Sequence, residues 1–317
     1  MQEGAVGVIG AGEWGLALAA AAARAGHPSL VHSRRGLDGA LPPGVTQARD
    51  LREIGDRARL VIFAVPSTVA REVARQLGDF VDGRHYVVHG TRGLAGTQEL
   101  TTISDVLREE TPVRRLGAIG GPVLPEDLAA GRPSVMVAGS SYPEVNDALR
   151  DAFSTPSLRL YCTDDLRGLE WASALVGCLA IAVGYAQAVG VSSGLIAALI
   201  SRSVQEAGKI ASAAGGEERT LLGLAGYGDL LASVEQRERP EVRLGAALAK
   251  GRSLVDAMHD AKLRVEAVDL IPRVLAWASR HGVSVPVFSA LANGMLASRS
   301  PELIVRDLMT APIEDRG

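Results

Sequence analysis

Residues 8–15 read VIGAGEWG, an apolar run followed by Gly10, Gly12 and Gly15 in GxGxxG spacing, and a helix-forming stretch rich in alanine comes next. Each glycine answers a different physical demand. The first permits a tight turn, the second lets the backbone approach a pyrophosphate, and the third lets the helix pack close to its strand. The start of that helix presents unsatisfied N–H groups and a partial positive charge to an anion. The chain is therefore expected to open with a strand, a phosphate-binding turn and a helix. Gly10, Gly12, Glu13, Trp14 and Gly15 would line a dinucleotide site.

The rest of the first half repeats that plan. Apolar runs at 6–9, 29–32, 60–65, 85–89, 115–119, 134–138 and 158–161 alternate with helical patterns at 14–25, 68–77, 99–108 and 144–153. Strand then helix, repeated, predicts an α/β fold with a doubly wound parallel sheet. Beyond about residue 165 the alternation stops, and helices are expected at 169–189, 196–214, 220–225, 243–250, 253–260, 267–280, 287–296 and 301–309. This divides the chain into a dinucleotide-binding domain over 1–163 and an all-α domain for substrate and dimerisation over 164–317.

Composition excludes several classes. With 33 basic and 36 acidic side chains the formal charge is −3, which gives no whole-protein electrostatic reason to expect nucleic acid. Cys162 and Cys178 form no CxxC pair and are too few for a disulfide scaffold or structural zinc, so a reducing, cytoplasmic setting without a metal is expected. The opening MQEGAVG has no basic n-region, and no signal peptide is read. Residues 171–201 carry no charge and exceed the roughly 20 residues of a bilayer span. Gln187, Ser192, Ser193 and several glycines divide the run, so it is read as buried helix in a soluble domain without stable membrane insertion.

Cofactor preference is read after the second strand. There Ser33, Arg34 and Arg35 stand where an NAD-preferring site carries an acidic residue. A hydroxyl and two guanidinium groups can hold a 2′-phosphate through charge-assisted hydrogen bonds, which predicts NADP(H) in preference to NAD(H). The LVIFAVPS run at 60–67 reads as a buried strand whose carboxyl end, at Val65 and Pro66, lies beside the cofactor.

Taken together, several segments resemble the NAD(P)-dependent glycerol-3-phosphate dehydrogenase family. They are VIGAGEWGLALA, VIFAVPS, GTRGL at 90–94, GGPVLPEDLAAGRPS at 120–134, the helical run 170–202 and GLAGYGDLLAS at 223–233, with weaker similarity through KGRSLVDAM and onward. They come in family order and cover nearly the whole chain. The resemblance implies an N-terminal Rossmann-type domain, an all-helical C-terminal domain and a homodimer. It also implies hydride transfer between a nicotinamide and dihydroxyacetone phosphate or sn-glycerol 3-phosphate, a small phosphorylated substrate.

The chain departs from the family at functional positions. Arg92 stands for the lysine of a TKGL loop, and Val176 and Gly177 stand for the last two residues of an A-x-K-N segment. Pro240 and Glu241 fall on an Arg-Asn pair that holds the substrate phosphate, and Gly194 falls on an asparagine; Asp229, Ser233 and Arg202 are retained. Arg237, Arg239 and Arg243 are candidates to replace the phosphate contact, whereas Lys209, Lys250 and Lys262 align with neither lost lysine. Valine can neither stabilise an oxyanion nor deliver a proton, and a guanidinium is a fixed cation and a poor proton donor. His89, just before the GTRGL loop, is a candidate general acid, with Ser173, Glu170 and Tyr185 as weaker ones. The resemblance thus implies catalytic roles for Asp229, Ser233 and Arg202, to which Arg92 and His89 are added as candidates. These residues leave open a reductase of another small carbonyl or imine, and an NADP-binding sensor that has lost the chemistry.

Overall fold

The computed structural model describes residues 4–37, 39–96, 99–260 and 266–296. The helix expected at 301–309, and Lys262, lie outside the described residues. The chain forms two compact units, Met1–Gly96 with Thr101–Ser173, and Thr97–Leu100 with Ala174–Gly317. The first unit therefore runs ten residues beyond the expected boundary at 163.

In chain order the first unit contains β1 (Ala5–Ile9), α1 (Glu13–Arg24), β2 (Ser29–His32), β3 (Val45–Gln47), α2 (Leu51–Arg57), β4 (Ala58–Phe63), α3 (Ser67–Gly78) and β5 (Tyr86–His89). There follow α4 (Ile103–Glu110), β6 (Arg115–Gly120), α5 (Pro125–Ala130), β7 (Ser134–Gly139), α6 (Pro143–Phe153), β8 (Leu158–Thr163) and the start of α7 (Leu166–Val189). The eight strands make one sheet in the order β3-β2-β1-β4-β5-β6-β7-β8. The order reverses between β1 and β4, which opens a crevice at the carboxyl ends of these strands. The small residues Ala17, Ala19, Ala20, Ala21 and Ala22 of α1 are all buried, so this helix lies close against its neighbours.

The sheet is mostly parallel, as the doubly wound plan predicts, with one exception. β7 runs antiparallel to β6, and β8 is parallel to β7, so the last two strands point the other way. The connection carries only one short helix, the six-residue α5, in place of the longer helix that a βαβ crossover in this sheet uses. The sequence reading also passes over β3, α2 and α5. A local signal for α2 existed: Asp50 caps the helix by accepting the Glu53 N–H at 2.8 Å, and Glu53 accepts the Arg49 N–H at 3.0 Å. The helix expected from residue 99 starts at Ile103, because Thr102 caps it.

The second unit contains the rest of α7, then α8 (Ser193–Ala213), α9 (Glu218–Leu222), a π-helical turn Leu224–Gly228, α10 (Asp229–Ala232), α11 (Pro240–Ala249), α12 (Leu254–Asp260), α13 (Glu266–Arg280) and α14 (Pro286–Leu296). Among the described helices α7 alone is long and apolar enough to cross a membrane, yet 72% of its most apolar window is buried inside the protein. α7 and α11 cross at glycines. A Cβ on Gly184 would lie 2.1 Å from the Val242 carbonyl oxygen, and one on Gly245 would lie 2.0 Å from that of Ile181.

Glu206 of α8 accepts the backbone N–H groups of Val287 and Phe288 at 2.8 and 2.9 Å, which ties α8 to the start of α14. Burial pushes its carboxyl up to about 7, against the lowering effect of these two donors, Arg202 and Lys209. A carboxyl raised in the folded state gives stability that is complete below the unfolded value near 4.5 and fades as pH rises through about 7. The unfolding free energy of the native protein relative to Glu206→Gln is therefore expected to fall by up to about 3 kcal/mol between those limits and to level off above them. Urea denaturation of both proteins across that range checks this, and parallel curves would refute it.

Candidate functional site

The dinucleotide turn is built at the carboxyl end of β1. The Gly10 N–H donates to the His32 carbonyl at 2.9 Å, and φ at Gly10 is +109°. A Cβ there would lie 2.1 Å from the Ala64 carbonyl oxygen, and a Cβ on Gly15 would lie 1.9 Å from that of Gly10. Both glycines are thus demanded by the protein's own packing. Gly12 is not: its Cβ would meet nothing within 4 Å. Gly12 also occupies the cap position of α1 with no side-chain hydrogen bond to the first turn, and Gly12 and Glu13 are exposed. An open face before uncapped helical N–H groups is the environment a pyrophosphate requires, so these residues fit a dinucleotide.

Other predicted residues gather at the same sheet edge. Trp14 packs its indole onto Gly90, where a Cβ would lie 2.4 Å from Nε1, and so braces the helix start against the loop after β5. The Gly90 N–H donates to the Phe63 carbonyl at 3.0 Å, and Thr91 Oγ1 donates to the Val65 carbonyl at 2.8 Å. Val65 is half-buried and Pro66 exposed. Half-buried Arg92 donates from Nη2 to the Gly121 carbonyl at 2.8 Å. After β2, the Gly36 N–H closes a turn on the Ser33 carbonyl, and this turn presents the exposed side chains of Arg34 and Arg35. Neither guanidinium has an ion-pair partner among the described residues, and Ser33 Oγ accepts the Arg35 N–H at 3.4 Å.

His89 ends β5 inside the protein, 2% exposed. Its Nδ1 accepts the Thr91 N–H at 3.4 Å, and its Nε2 donates to Glu170 Oε1 at 2.8 Å. Glu170, equally buried, also accepts the Ser104 N–H at 2.8 Å and the Ser104 hydroxyl at 2.6 Å. Both ring nitrogens are engaged, and the cluster ties α4, α7 and the end of β5 together. Sequence reasoning did not reach Ser104, because nothing near it in the chain marks its partner. Ser173 Oγ is buried without a hydrogen-bond partner, near Gly120.

In the second unit the GLAGYGDLLAS segment forms the π-helical turn, closed by a Gly228 N–H to Gly223 carbonyl bond at 3.0 Å. The wide turn aims Asp229 inward, and Asp229 is 1% exposed. Its carboxylate takes Arg239 Nη1 at 2.8 Å, and the same nitrogen donates to Ser233 Oγ at 2.9 Å. Arg239 Nε donates to Glu241 Oε2 at 3.2 Å. Burial opposes charge on Arg239, but Asp229 and Glu241 outweigh it and hold its pKa above the ordinary arginine value. Of the three arginines that could supply a cation here, Arg237 and Arg243 are exposed and only Arg239 is buried. Val176 is buried and apolar, and Gly177 leaves its Cβ position 3.8 Å from Glu241 Oε1. Gly194 is exposed in the first turn of α8; Arg202 lies one turn ahead of Glu206 on that helix. No cluster of three metal-ligating side chains occurs among the described residues.

These features define a dinucleotide-binding α/β unit joined to a helical unit that holds a buried aspartate–arginine centre. A family model described as NAD-dependent glycerol-3-phosphate dehydrogenase N-terminus matches residues 31–146, and one described as its C-terminus matches 165–306. A glycerol-3-phosphate dehydrogenase [NAD(P)+] of Gluconobacter oxydans is 33% identical over 91% of this chain and 91% of its own length. One from Oceanobacillus iheyensis is 28% identical, covering 96% and 93%. The crystal structure of glycerol-3-phosphate dehydrogenase from Coxiella burnetii is similar with a TM-score of 0.88 and 26% identity, covering 97% of this chain and 99% of that one. The chain belongs to the NAD-dependent glycerol-3-phosphate dehydrogenase family.

Proposed function

We propose that this protein is an NAD(P)-dependent oxidoreductase that transfers hydride between NADP(H) and the dihydroxyacetone phosphate/sn-glycerol 3-phosphate pair. The observation that carries the reading is the buried Asp229–Arg239–Ser233 cluster on the family's GYGDL segment, in a chain that also keeps the open glycine turn. Gly10, Gly12, Glu13, Trp14 and Gly15 hold the pyrophosphate, Ser33, Arg34 and Arg35 hold the 2′-phosphate, and Val65 and Pro66 flank the nicotinamide end. The bound nicotinamide supplies the hydride. Arg92 and Arg239 stabilise the negative charge of substrate and developing alkoxide, Asp229 and Ser233 position Arg239, and Arg202 adds positive charge. His89 fixes the 90–94 loop through Thr91, since its nitrogens are already engaged. With no lysine at 176, the proton comes from water.

Two unpaired cysteines, one buried and one half-buried, support a reducing, cytoplasmic location. We assign the homodimer on family grounds. Nicotinamide oxidation by the purified protein with dihydroxyacetone phosphate, followed with NADPH and with NADH, tests the reading: turnover supports it, and its absence with both cofactors rejects it. Arg34→Ala is expected to weaken NADPH by about tenfold or more while NADH changes little, and equal losses would reject the 2′-phosphate assignment.

A further inference from the structure

Arg239 is a buried cation, 4% exposed, set between two carboxylates. Its Nη1 is spent on Asp229 Oδ1, Ser233 Oγ, the Asp229 carbonyl at 3.4 Å and Gln236 Oε1 at 3.5 Å, and its Nε is spent on Glu241. Nη2 is shut off from solvent and has no hydrogen-bond partner among the described residues. A buried guanidinium nitrogen in that state lacks an acceptor oxygen, and a ligand supplies one. The formal charges of the three side chains bear on what kind. Asp229, Glu241 and Arg239 sum to −1 before anything binds. Arg273, also in this unit, is lowered by burial and has Asp269 and Glu266 acting on its charge. A doubly negative oxygen group approaching Nη2 meets this net negative charge where screening by water is weak.

Glu241 is the adjustable member of the cluster. Asp229 is fixed under the π-helical turn, whereas the Glu241 side chain is 17% exposed and its Oε1 borders the space left by the missing side chain of Gly177. We propose that Glu241 is a specificity-determining residue that weakens the hold of Arg239 on doubly charged anions, so that the site takes a hydroxyl, carbonyl or singly charged oxygen in preference to a phosphate dianion. This rests on the reading that Arg239 meets the substrate, and it gives that site a chemical preference.

The experiment compares the full-length protein with Glu241→Gln, which keeps an acceptor for Nε and removes the charge. Glu238→Gln is the control, removing an equal charge from an 83% exposed neighbour. Binding of inorganic phosphate is measured by calorimetry at about pH 8, where it is mostly dianionic, with NADP saturating so that the glycine turn is filled. Glu241→Gln is expected to tighten phosphate about tenfold and to lower KM for dihydroxyacetone phosphate similarly with kcat little changed, while Glu238→Gln does neither. Affinity and KM within about twofold of the native protein, or the same gain from Glu238→Gln, would overturn the proposal. Should Glu241→Gln fail to fold, Glu241→Asn is judged by the same criteria. Tighter phosphate binding without turnover in any variant would reject the dehydrogenase reading and leave this inference standing. Normal turnover with an unchanged KM would do the reverse.

Discussion

Gly12→Val is expected to weaken NADPH binding by about 100-fold or more, roughly 2.8 kcal/mol, while leaving the protein folded. Gly15→Ala, a smaller change three residues away, is expected to act in the opposite way. The contrast follows from what each Cβ meets. At Gly12 the backbone is extended, with φ at −73°, and an added Cβ meets nothing within 4 Å, so the folded state is expected to lose little beyond the cap preference of glycine, about 1 kcal/mol. The added bulk stands where the pyrophosphate must approach the helix N-terminus. At Gly15 the new Cβ collides with a backbone oxygen at 1.9 Å, which only a shift of α1 relative to β1 relieves, at about 3 kcal/mol. Fluorescence titration with NADPH beside thermal unfolding separates the two. If Gly12→Val bound NADPH normally, the dinucleotide site would have to lie elsewhere.

The second large effect is expected at the buried ion pair. Asp229→Ala strands the Arg239 guanidinium without its main partner, and breaking a buried pair on one side costs about 3–5 kcal/mol. Turnover should fall at least about 100-fold, because Arg239 then loses its fixed position. Replacing both members, as Asp229→Leu with Arg239→Met, removes the stranded guanidinium, though it frees Glu241 of its partner, and is expected to recover part of the stability with none of the activity. A double variant as unstable as Asp229→Ala would show that the pair is valued for its packing, and an active double variant would remove Arg239 from the chemistry.

Much of the first unit could be read from the sequence because the demands involved are local. A tight turn, an approach to phosphate and a close helix each need glycine at a fixed offset, and a buried parallel strand needs a short apolar run, so all seven predicted strands lie within two residues of their positions, the largest offset being that of 60–65, which is shifted two residues toward the N-terminus. The elements that escaped had weak local signals: β3 is three residues long, and α2 carries only two buried side chains. The reversed direction of β7 escaped for a different reason. Strand direction depends on where the connection re-enters the sheet, and an apolar run reads the same both ways.

The sequence by itself determined the glycine turn, the α/β half, the helical half and the family, and it offered three arginines for the lost phosphate contact. Only the tertiary structure shows how differently they are placed. Arg239 is the one that the π-helical turn and the close crossing of α7 and α11 bury against Asp229. The same holds for His89, whose partner Glu170 is 81 residues away in the chain and whose cluster is completed by Ser104, 66 residues from Glu170. The role of an ionisable side chain is set by what surrounds it once water is excluded, and those surroundings come from segments that meet only when the chain has folded.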